Sequence, residues 1–440
     1  MADGDVSRRE LKLVLIGAGS FVFGPSAVHD AIERHKLNDV TLELVDPNAE
    51  AVEAMAAFAR GLATRAGVRA TVRTHANREA ALDGADFVLC AAAVDMRRRF
   101  ATDVDLVHRI IPGHVITEFG GVVGVLSTLR QVAMIQSIAV DMRRQCPNAW
   151  LLLSSNPLPR TTQAAAMSGV NAVGFCNNSE KVYGLIAKAM LSMDESFPWA
   201  AAKAKYEATC GGPNHLTWLL KLTERATGRD MTGEFRERLL SDADMGAEPW
   251  TKQILDDSGY LCTAGDHHFQ DFLPPTKFSH SMHEVWHGGE DERRRRLDAL
   301  RMAEHDPAAV PAALGNRSWE YPLDLVAALG RGRPASFFSL NLVNEGQIAE
   351  LPRGVVVETP ATADAGGVRP MQVALPQSLR AISAATVELS DALTRAALNQ
   401  SREGILAVVD RDPTILDKPA GRRAVEEGLS LHRDLIGHYD

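Results

Sequence analysis

Residues 11–46 read LKLVLIGAGSFVFGPSAVHDAIERHKLNDVTLELVD, and this stretch decides the fold. The apolar run at 12–16 predicts a strand, the small residues that follow predict a tight turn, and a helical pattern comes next. Residues 40–45 predict a second strand, which ends at Asp46. A strand, a glycine turn, a helix and a second strand predict the first βαβ unit of a parallel sheet.

The same alternation continues along the N-terminal half. Further strands are predicted at 70–74, 87–92, 150–153 and 170–175, and helices at 49–66, 78–82 and 124–144. The predicted fold class is therefore α/β, with an N-terminal Rossmann-type, doubly wound parallel sheet over residues 1–195. Later patterns are helical at 203–255 and 379–439 and strand-like at 337–343 and 355–359, which predicts a mixed α/β domain over 196–440 for substrate, metal and oligomerisation.

The glycine turn indicates a dinucleotide site. Gly17 permits the tight turn, Gly19 lets the backbone approach a pyrophosphate, and Ser20 and Phe21 continue the turn as predicted cofactor contacts. Asp46 lies where an acidic residue binds the adenosine ribose hydroxyls and repels the extra phosphate of NADP, so NAD is the predicted cofactor. The spacing to the next glycine departs from G-x-G-x-x-G, and a glycine turn of some other α/β protein is the alternative.

Composition limits the function classes. The chain has 440 residues, 45% of them hydrophobic, and a net charge of −9, which disfavours a general nucleic-acid binder. The polar N-terminus does not resemble a secretory signal, and we expect no membrane-spanning stretch and no membrane partner. Five scattered cysteines without a C-x-x-C pair favour reduced thiols, so the expected location is cytoplasmic.

Polar clusters follow the later strands. Asn156 ends the segment SSN at 154–156, Cys176 and Asn177 lie in GFCNN, and His215 follows a Gly-Pro turn. Residues 259–269 concentrate titratable groups in GYLCTAGDHHF. Taken singly, Cys176 is typical of a small buried residue and His215 of a core histidine, so spacing alone defines no metal site.

The order of these segments resembles the NAD- and manganese-dependent glycosidases of glycoside hydrolase family 4. The likeness runs over roughly residues 11–380. It rests on IGAGSFVF, SSNP, GFCNN, GPNHLTWL, GYLCTAGDHHFQDFLP, NRSWEYPLDLVAAL, SLNLVNEGQIAELPRGVVVETP and GGVRPMQVALP. It implies a fold like that of lactate and malate dehydrogenases, a small glycoside as the substrate, and a homodimer or homotetramer.

The resemblance also implies a redox route. The sugar would be oxidised at C3 by NAD, deprotonated at C2, and cleaved by elimination before the hydride returns. By position, Cys176 and His215 match metal ligands for Mn²⁺, with His215 also close to the substrate, and Tyr260 matches the base. Asn156 matches a residue that contacts sugar hydroxyls, and Asp266 is an expected acid or supporting residue.

Two departures from the family pattern affect the substrate and the acid. Asn177 stands where the family usually has His or Asp, and an amide cannot act as an acid, so Asn177 is expected only to contact substrate. Either Asp266, His267 or Glu118 protonates the leaving group, or the leaving group is good enough to need little help. Arg97, in DMRRRF at 95–100, is expected either to face solvent or cofactor phosphate, or to bind an anionic sugar. Sulfoquinovosides are the candidate, beside glucuronides, galacturonides, α-glucosides and α-galactosides.

Two other functions stay open at this point. An NAD-dependent dehydrogenase of the lactate/malate dehydrogenase fold would accumulate NADH, and a non-catalytic NAD-sensing protein would turn over no glycoside. A further charged run, EDERRRR at 290–296, is interpreted as a solvated helix face.

Overall fold

The computed structural model describes residues 10–20, 23–176, 178–193, 199–241, 248–282, 290–302, 304–306 and 320–440. Its strands are β1 (Leu11–Ile16), β2 (Val40–Val45), β3 (Ala70–His75), β4 (Phe87–Cys90), β5 (Trp150–Leu153), β6 (Asn171–Gly174), β7 (Tyr206–Gly211), β8 (Trp218–Glu224), β9 (Ala335–Val343), β10 (Val356–Asp364) and β11 (Gly367–Pro370).

The helices lie between and after these strands. They are α1 (Gly24–His29), continued by a π-helical turn (Asp30–Arg34), α2 (Ala49–Ala66), α3 (Glu79–Leu82), α4 (Met96–Ile110), α5 (Gly121–Gln145), α6 (Leu158–Met167), a 3₁₀ turn (Asn178–Lys181), α7 (Val182–Leu191), α8 (Ala200–Lys205), α9 (Thr232–Ser241), α10 (Pro249–Ser258), α11 (Asp266–Phe269), α12 (Glu290–Met302), α13 (Pro322–Arg331), α14 (Gln377–Leu398), α15 (Arg402–Arg411), α16 (Lys418–Leu431) and α17 (Arg433–Ile436).

The main sheet has nine strands in the order β11-β10-β9-β6-β5-β4-β1-β2-β3. Strands β1 to β6 are all parallel, which confirms the predicted doubly wound sheet. Leu13, which has no exposed surface, pairs with Leu42 on one side and Phe87 on the other. Because the strand order reverses between β1 and β4, a crevice opens at the carboxyl ends of these two strands.

Helices cover both faces of this sheet. Helix α2 begins at Asn48, whose Oδ1 accepts the Ala51 N–H at 3.1 Å, and ends at Gly67, whose φ is +64°. On the other face, α5 is long and apolar enough to cross a membrane, contrary to the expectation that no such stretch exists. However, 78% of its most apolar window is buried inside the protein, as in the core helix of a globular domain.

The C-terminal half departs from the sequence prediction at one place. Residues 206–224 form the antiparallel hairpin β7–β8, where a helical pattern was expected. Tyr206, Ala208 and Cys210 are buried and Glu207 is exposed, so the true period of this segment is two. Helical patterns were predicted over 203–255 with a break at the turn 211–213; the break is present, but the helical prediction was wrong on both sides of it, over 206–224.

The sheet continues across the predicted domain boundary near residue 195. Strand β9 joins β6 antiparallel through the pair Gly174 and Asn341, and α14 packs on α5 and α6. The C-terminal strands therefore complete a sheet begun by the N-terminal half. The boundary itself stays a prediction.

A buried charge network fastens the chain's end to α4 and α5. Asp103 accepts a hydrogen bond from Arg130 at 2.7 Å, and its other oxygen lies 2.5 Å from His432 Nε2. Arg99, one turn before Asp103 on α4, pairs with Asp434, two residues after His432. Asp103 and His432 have no exposed surface, so the pairing compensates their burial.

Candidate active site

The crevice at the sheet's carboxyl edge is a cavity of about 1510 Å³. Its walls include the glycine turn, the ends of β2 and β3, the start of α4, and the segment after β5. Predicted site residues on these walls are Gly17, Gly19, Ser20, Asp46, Arg97 and Asn156. Six of the predicted residues, drawn from both the cofactor and the substrate sets, therefore share one cavity.

The glycine turn is fixed by backbone geometry and by Asp46. Gly17 has a φ of +82°, which side chains other than glycine rarely adopt. The Gly19 N–H donates to Asp46 Oδ2 at 2.9 Å, and Asp46 Oδ1 accepts the Asn48 N–H at 2.9 Å. A Cβ on Gly19 would lie 2.8 Å from both Asp46 Oδ2 and Ala51 Cβ. Position 19 therefore needs glycine to fit between Asp46, at the end of β2, and Ala51 of α2, whether or not a ligand approaches the turn.

Cys176 and His215 meet although 39 positions separate them. Cys176 follows the end of β6, where the Phe175 N–H bonds the Leu153 carbonyl, and His215 lies in the turn between β7 and β8 with a φ of +64°. Cys176 Sγ is 3.4 Å from His215 Nε2. Two atoms that each bind one ion at about 2.0–2.3 Å lie about 3–3.7 Å apart, so this pair has the spacing of two ligands of a single ion.

Glu118 and His268 extend this pair into a possible metal cluster. The ligand atoms of Glu118, His215 and His268 all lie within 4.8 Å of one another. His215 Nδ1 is buried and has no hydrogen-bond partner among the residues that the structure describes, and the His215 ring stacks on Phe119 with centroids 4.5 Å apart. Thiol, imidazole and carboxylate groups suit a borderline divalent ion, so these residues fit a metal.

Burial determines the protonation of these groups. It lowers the pKa of His215 well below its ordinary value, helped by the neighbouring His268, so His215 is neutral and able to bind a cation. Burial, with the charge of Glu358, raises the pKa of the Cys176 thiol. Since a thiolate is the form that binds metal, Cys176 needs a cation beside it to ionise.

Glu118 connects this cluster to the cavity. Burial, followed by the charge of Asp271, raises the pKa of its carboxyl group. Glu118 Oε1 accepts a hydrogen bond from Asn156 Nδ2 at 2.5 Å, and both residues line the cavity. The predicted sugar contact Asn156 is therefore held beside the Cys176–His215 pair.

The buried Glu358 holds the His215 turn in place. Its carboxylate accepts hydrogen bonds from Ser179 at 2.5 Å, Asn214 at 2.8 Å and Thr217 at 3.0 Å. Its backbone also pairs with Gly212 in both directions. Strand β10 thus fixes the turn that carries His215. Sequence analysis did not select Glu358; the only available signal was an acidic residue inside the apolar run at 355–359.

The remaining predicted residues lie elsewhere or are not described. Phe21 and Asn177 fall outside the described residues. Tyr260 packs against an apolar cluster, and among the described residues its only hydrogen bonds are between its backbone and Ser258. Its role as base stays a prediction.

Asp266 has a structural task that accounts for its carboxylate. It accepts the N–H groups of Trp250 at 2.9 Å and Thr251 at 2.6 Å, together with the Thr251 hydroxyl, at the start of α10. This is the N-terminal capping arrangement of a helix. Asp266 therefore caps α10, and its expected role as an acid or supporting residue stays a prediction.

The three arginines of the DMRRRF segment lie in three different environments. Arg97 is exposed on the cavity wall, Arg98 pairs with Asp95 in the preceding turn, and Arg99 is buried against Asp434. One of the three arginines is therefore placed to meet a ligand, which keeps both interpretations of Arg97 open.

Two family models match this chain. The model for the family 4 glycosyl hydrolases matches residues 12–192, and that for the family 4 C-terminal domain matches 210–415. An α-galactosidase of Bacillus subtilis is 23% identical, with 91% of this chain and 93% of the relative covered. An α-galacturonidase of the same organism is 22% identical, over 92% and 94% of the two chains.

Solved structures agree on the fold. A Thermotoga maritima 6-phospho-β-glucosidase, crystallised with manganese, NAD⁺ and glucose-6-phosphate, superposes with a TM-score of 0.75 at 17% identity, covering 97% of this chain and 99% of that one. A Plasmodium falciparum malate dehydrogenase gives a TM-score of 0.51 at 15% identity, over 88% and 99%. The predicted likeness to the malate dehydrogenase fold is thereby confirmed.

Proposed function

This chain belongs to glycosyl hydrolase family 4 and is a glycosidase, and from that membership we propose that it cleaves its glycoside by an NAD- and manganese-dependent redox route. The observation that carries the proposal is the 3.4 Å approach of Cys176 Sγ to His215 Nε2, together with Glu118, which lies near His215 and lines the cavity that begins at the glycine turn. A glycosidase that used two carboxylates alone would need neither feature.

Different residues of the chain would hold the dinucleotide and the divalent ion. Gly17, Gly19 and Asp46 would hold the dinucleotide, and Cys176 with His215 would hold the divalent ion. When bound, NAD supplies reversible hydride transfer at the sugar C3, and the ion polarises the C2 and C3 oxygens. His215 is kept neutral by burial, which suits a ligand.

Asn156 would orient the sugar. Its amide donates to Glu118 at 2.5 Å, so its carbonyl oxygen is directed by that bond and is able to accept from a sugar hydroxyl. The same bond fixes Glu118 beside His215. Orientation of both groups before substrate arrives lowers the entropic cost of reaching the reactive geometry.

We propose an anionic hexoside as the substrate, with Arg97 as the residue that meets the negative group. Arg97 stands on the cavity wall, and a guanidinium matches carboxylate, phosphate and sulfonate geometry. Sulfoquinovosides, glucuronides and galacturonides are the substrates to test first, with α-glucosides and α-galactosides as neutral comparisons. A cytoplasmic location and a homodimeric or homotetrameric assembly stay predictions.

Turnover in deuterated water tests the route. The enzyme with NAD and Mn²⁺ is given nitrophenyl glycosides of these sugars, and the released sugar is analysed by NMR and mass spectrometry. Deuterium at C2 with no net NADH is the expected result. Cleavage without label would overturn the redox route, and net NADH with no cleavage would identify a dehydrogenase.

The base is tested separately through Tyr260. Tyr260→Phe should abolish C2 exchange and cleavage together while NAD binding, followed by calorimetry, is unchanged. Exchange that persists at the wild-type rate would remove Tyr260 from the mechanism.

A further inference from the structure

The arginine run at 290–296 opens α12, and its side chains do not all face solvent. Arg294 and Arg295 are exposed, as the interpretation of a solvated face requires. Arg293 and Arg296 are half-buried and line the same cavity as Gly19 and Asp46. These two arginines therefore face the cavity as well as solvent, which the interpretation of a solvated face did not anticipate.

Helix α12 is fastened to α2, which packs beside the glycine turn. Leu297 and Leu300 are buried in the cluster that contains Met55 and Phe58 of α2. Arg301 pairs with Glu50 at 2.8 Å, and Glu304, beyond the helix, pairs with Arg60 at 2.7 Å. Because exposed ion pairs contribute little, the leucines carry most of this attachment.

This attachment places the first half of α12 over the end of strand two. Glu50, the partner of Arg301, lies in the first turn of α2, and Asn48, which caps that helix, lines the cavity. Arg293 precedes Arg301 by two turns, about 12 Å along a helix axis. Arg293, Arg296 and Leu300 share one side of α12, so the side that buries leucine on α2 also presents the arginines to the cavity.

The two guanidinium groups differ in what they contact. Arg296 Nε donates to Glu292 Oε1 at 2.7 Å, and Arg295 donates to Glu292 Oε2 at 2.9 Å. Within the described ranges, Arg293 makes no hydrogen bond or ion pair. A guanidinium on the wall of a dinucleotide-sized cavity, without a carboxylate of its own, is suited to a phosphate group.

We propose that Arg293, with Arg296 beside it, binds a phosphate group of the dinucleotide, so that α12 closes the adenosine side of the cofactor cavity. The inference rests on the cofactor part of the proposed function. It adds a cationic contact from outside the strand–turn–helix unit. Two phosphate groups fit this description: the diphosphate, which NAD and NADP share, and the 2′-phosphate, which only NADP carries. The negative charge of Asp46 opposes binding of the 2′-phosphate.

Calorimetric titration of the full chain with NAD and NADP, without glycoside, tests this. Arg293→Gln should weaken at least one dinucleotide about ten-fold, as expected for loss of a charge-assisted hydrogen bond. Equal losses for both dinucleotides would identify the diphosphate, and a loss confined to NADP would identify the 2′-phosphate. The matched control is Arg294→Gln, one position away and exposed, which should bind both dinucleotides as the wild type does.

Three results would overturn the inference. Wild-type affinity for both dinucleotides in Arg293→Gln would refute it and leave the proposed function intact. An equal loss in Arg294→Gln would mean that net charge, not a specific contact, is responsible. If the wild-type chain bound neither dinucleotide, the inference and the cofactor part of the proposed function would both fail. Thermal unfolding of each variant, expected at the wild-type temperature, excludes misfolding as the cause.

Discussion

Gly19→Ala should weaken NAD binding by distorting the glycine turn. The added Cβ would lie 2.8 Å from Ala51 Cβ and 2.8 Å from Asp46 Oδ2, where ordinary contacts are about 3.5–4 Å. Ala51 belongs to α2, so it cannot retreat without moving that helix. Asp46 is held by its second bond to the Asn48 N–H. The turn must therefore shift, and the hydrogen bond from Gly19 to Asp46 lengthens or breaks.

Overpacking of this kind costs about 1–3 kcal/mol, and a distortion of about 2 kcal/mol that falls on the bound state corresponds to about a 30-fold higher Kd. The assay is calorimetric titration of NAD into the variant and the wild type. The matched control is Gly233→Ala, because a Cβ at Gly233 meets nothing within 4 Å and should leave the Kd unchanged. Wild-type affinity in Gly19→Ala would refute the steric reasoning and separate this turn from the cofactor site.

Three further outcomes are expected. Wild-type protein should bind NAD more tightly than NADP, and Asp46→Ala should lower the affinity for NAD and reduce the difference between the two affinities. Equal wild-type affinities for NAD and NADP, measured by calorimetry, would contradict the role of Asp46. Cys176→Ser should lower Mn²⁺ affinity at least ten-fold in a metal titration, since one of two converging ligands is lost; unchanged affinity would remove Cys176 from the site. Burial raises the pKa of Asp324, but hydrogen bonds from His35 and Arg34 outweigh it and bring this pKa to about 2, below about 3.9 in the unfolded chain. Asp324→Asn should therefore cost about 2 kcal/mol of unfolding free energy at pH 7, and the difference from wild type should vanish as the pH falls from about 4 to 2 in denaturant titrations; a pH-independent difference would refute this.

The parallel sheet was predictable because its strands are apolar runs bounded by turn residues. Strands β1 and β2 lie where residues 12–16 and 40–45 predicted them, and the glycine turn between β1 and α1 has its expected place. The hairpin β7–β8 was missed because residues 203–255 were interpreted as helical, although Tyr206, Ala208 and Cys210 are buried alternately along β7, which pairs with β8. Helix α5 was predicted from residue 124, but its burial inside the protein was not.

Site residues were predictable only where they follow a strand or a turn within the ordered segments that resemble the family. Cys176 and His215 met these conditions, and the structure brings them together. Glu358 and His268 reach the same region through tertiary packing, which no local pattern encodes. The contacts of Asp266 were also not predictable, because no local pattern shows that its carboxylate caps a helix sixteen residues earlier in the chain.

The pairing of Asp103 with His432 bears on how the chain matures during synthesis. Asp103 and Arg130 lie in the N-terminal half, yet the imidazole that completes their burial belongs to His432, 329 positions after Asp103. A nascent chain that has only its first half outside the ribosome lacks this partner and leaves α4 and α5 without part of their cover. Final packing of the helix that carries Arg97 to the cavity wall thus depends on a residue that is synthesised 329 positions after Asp103.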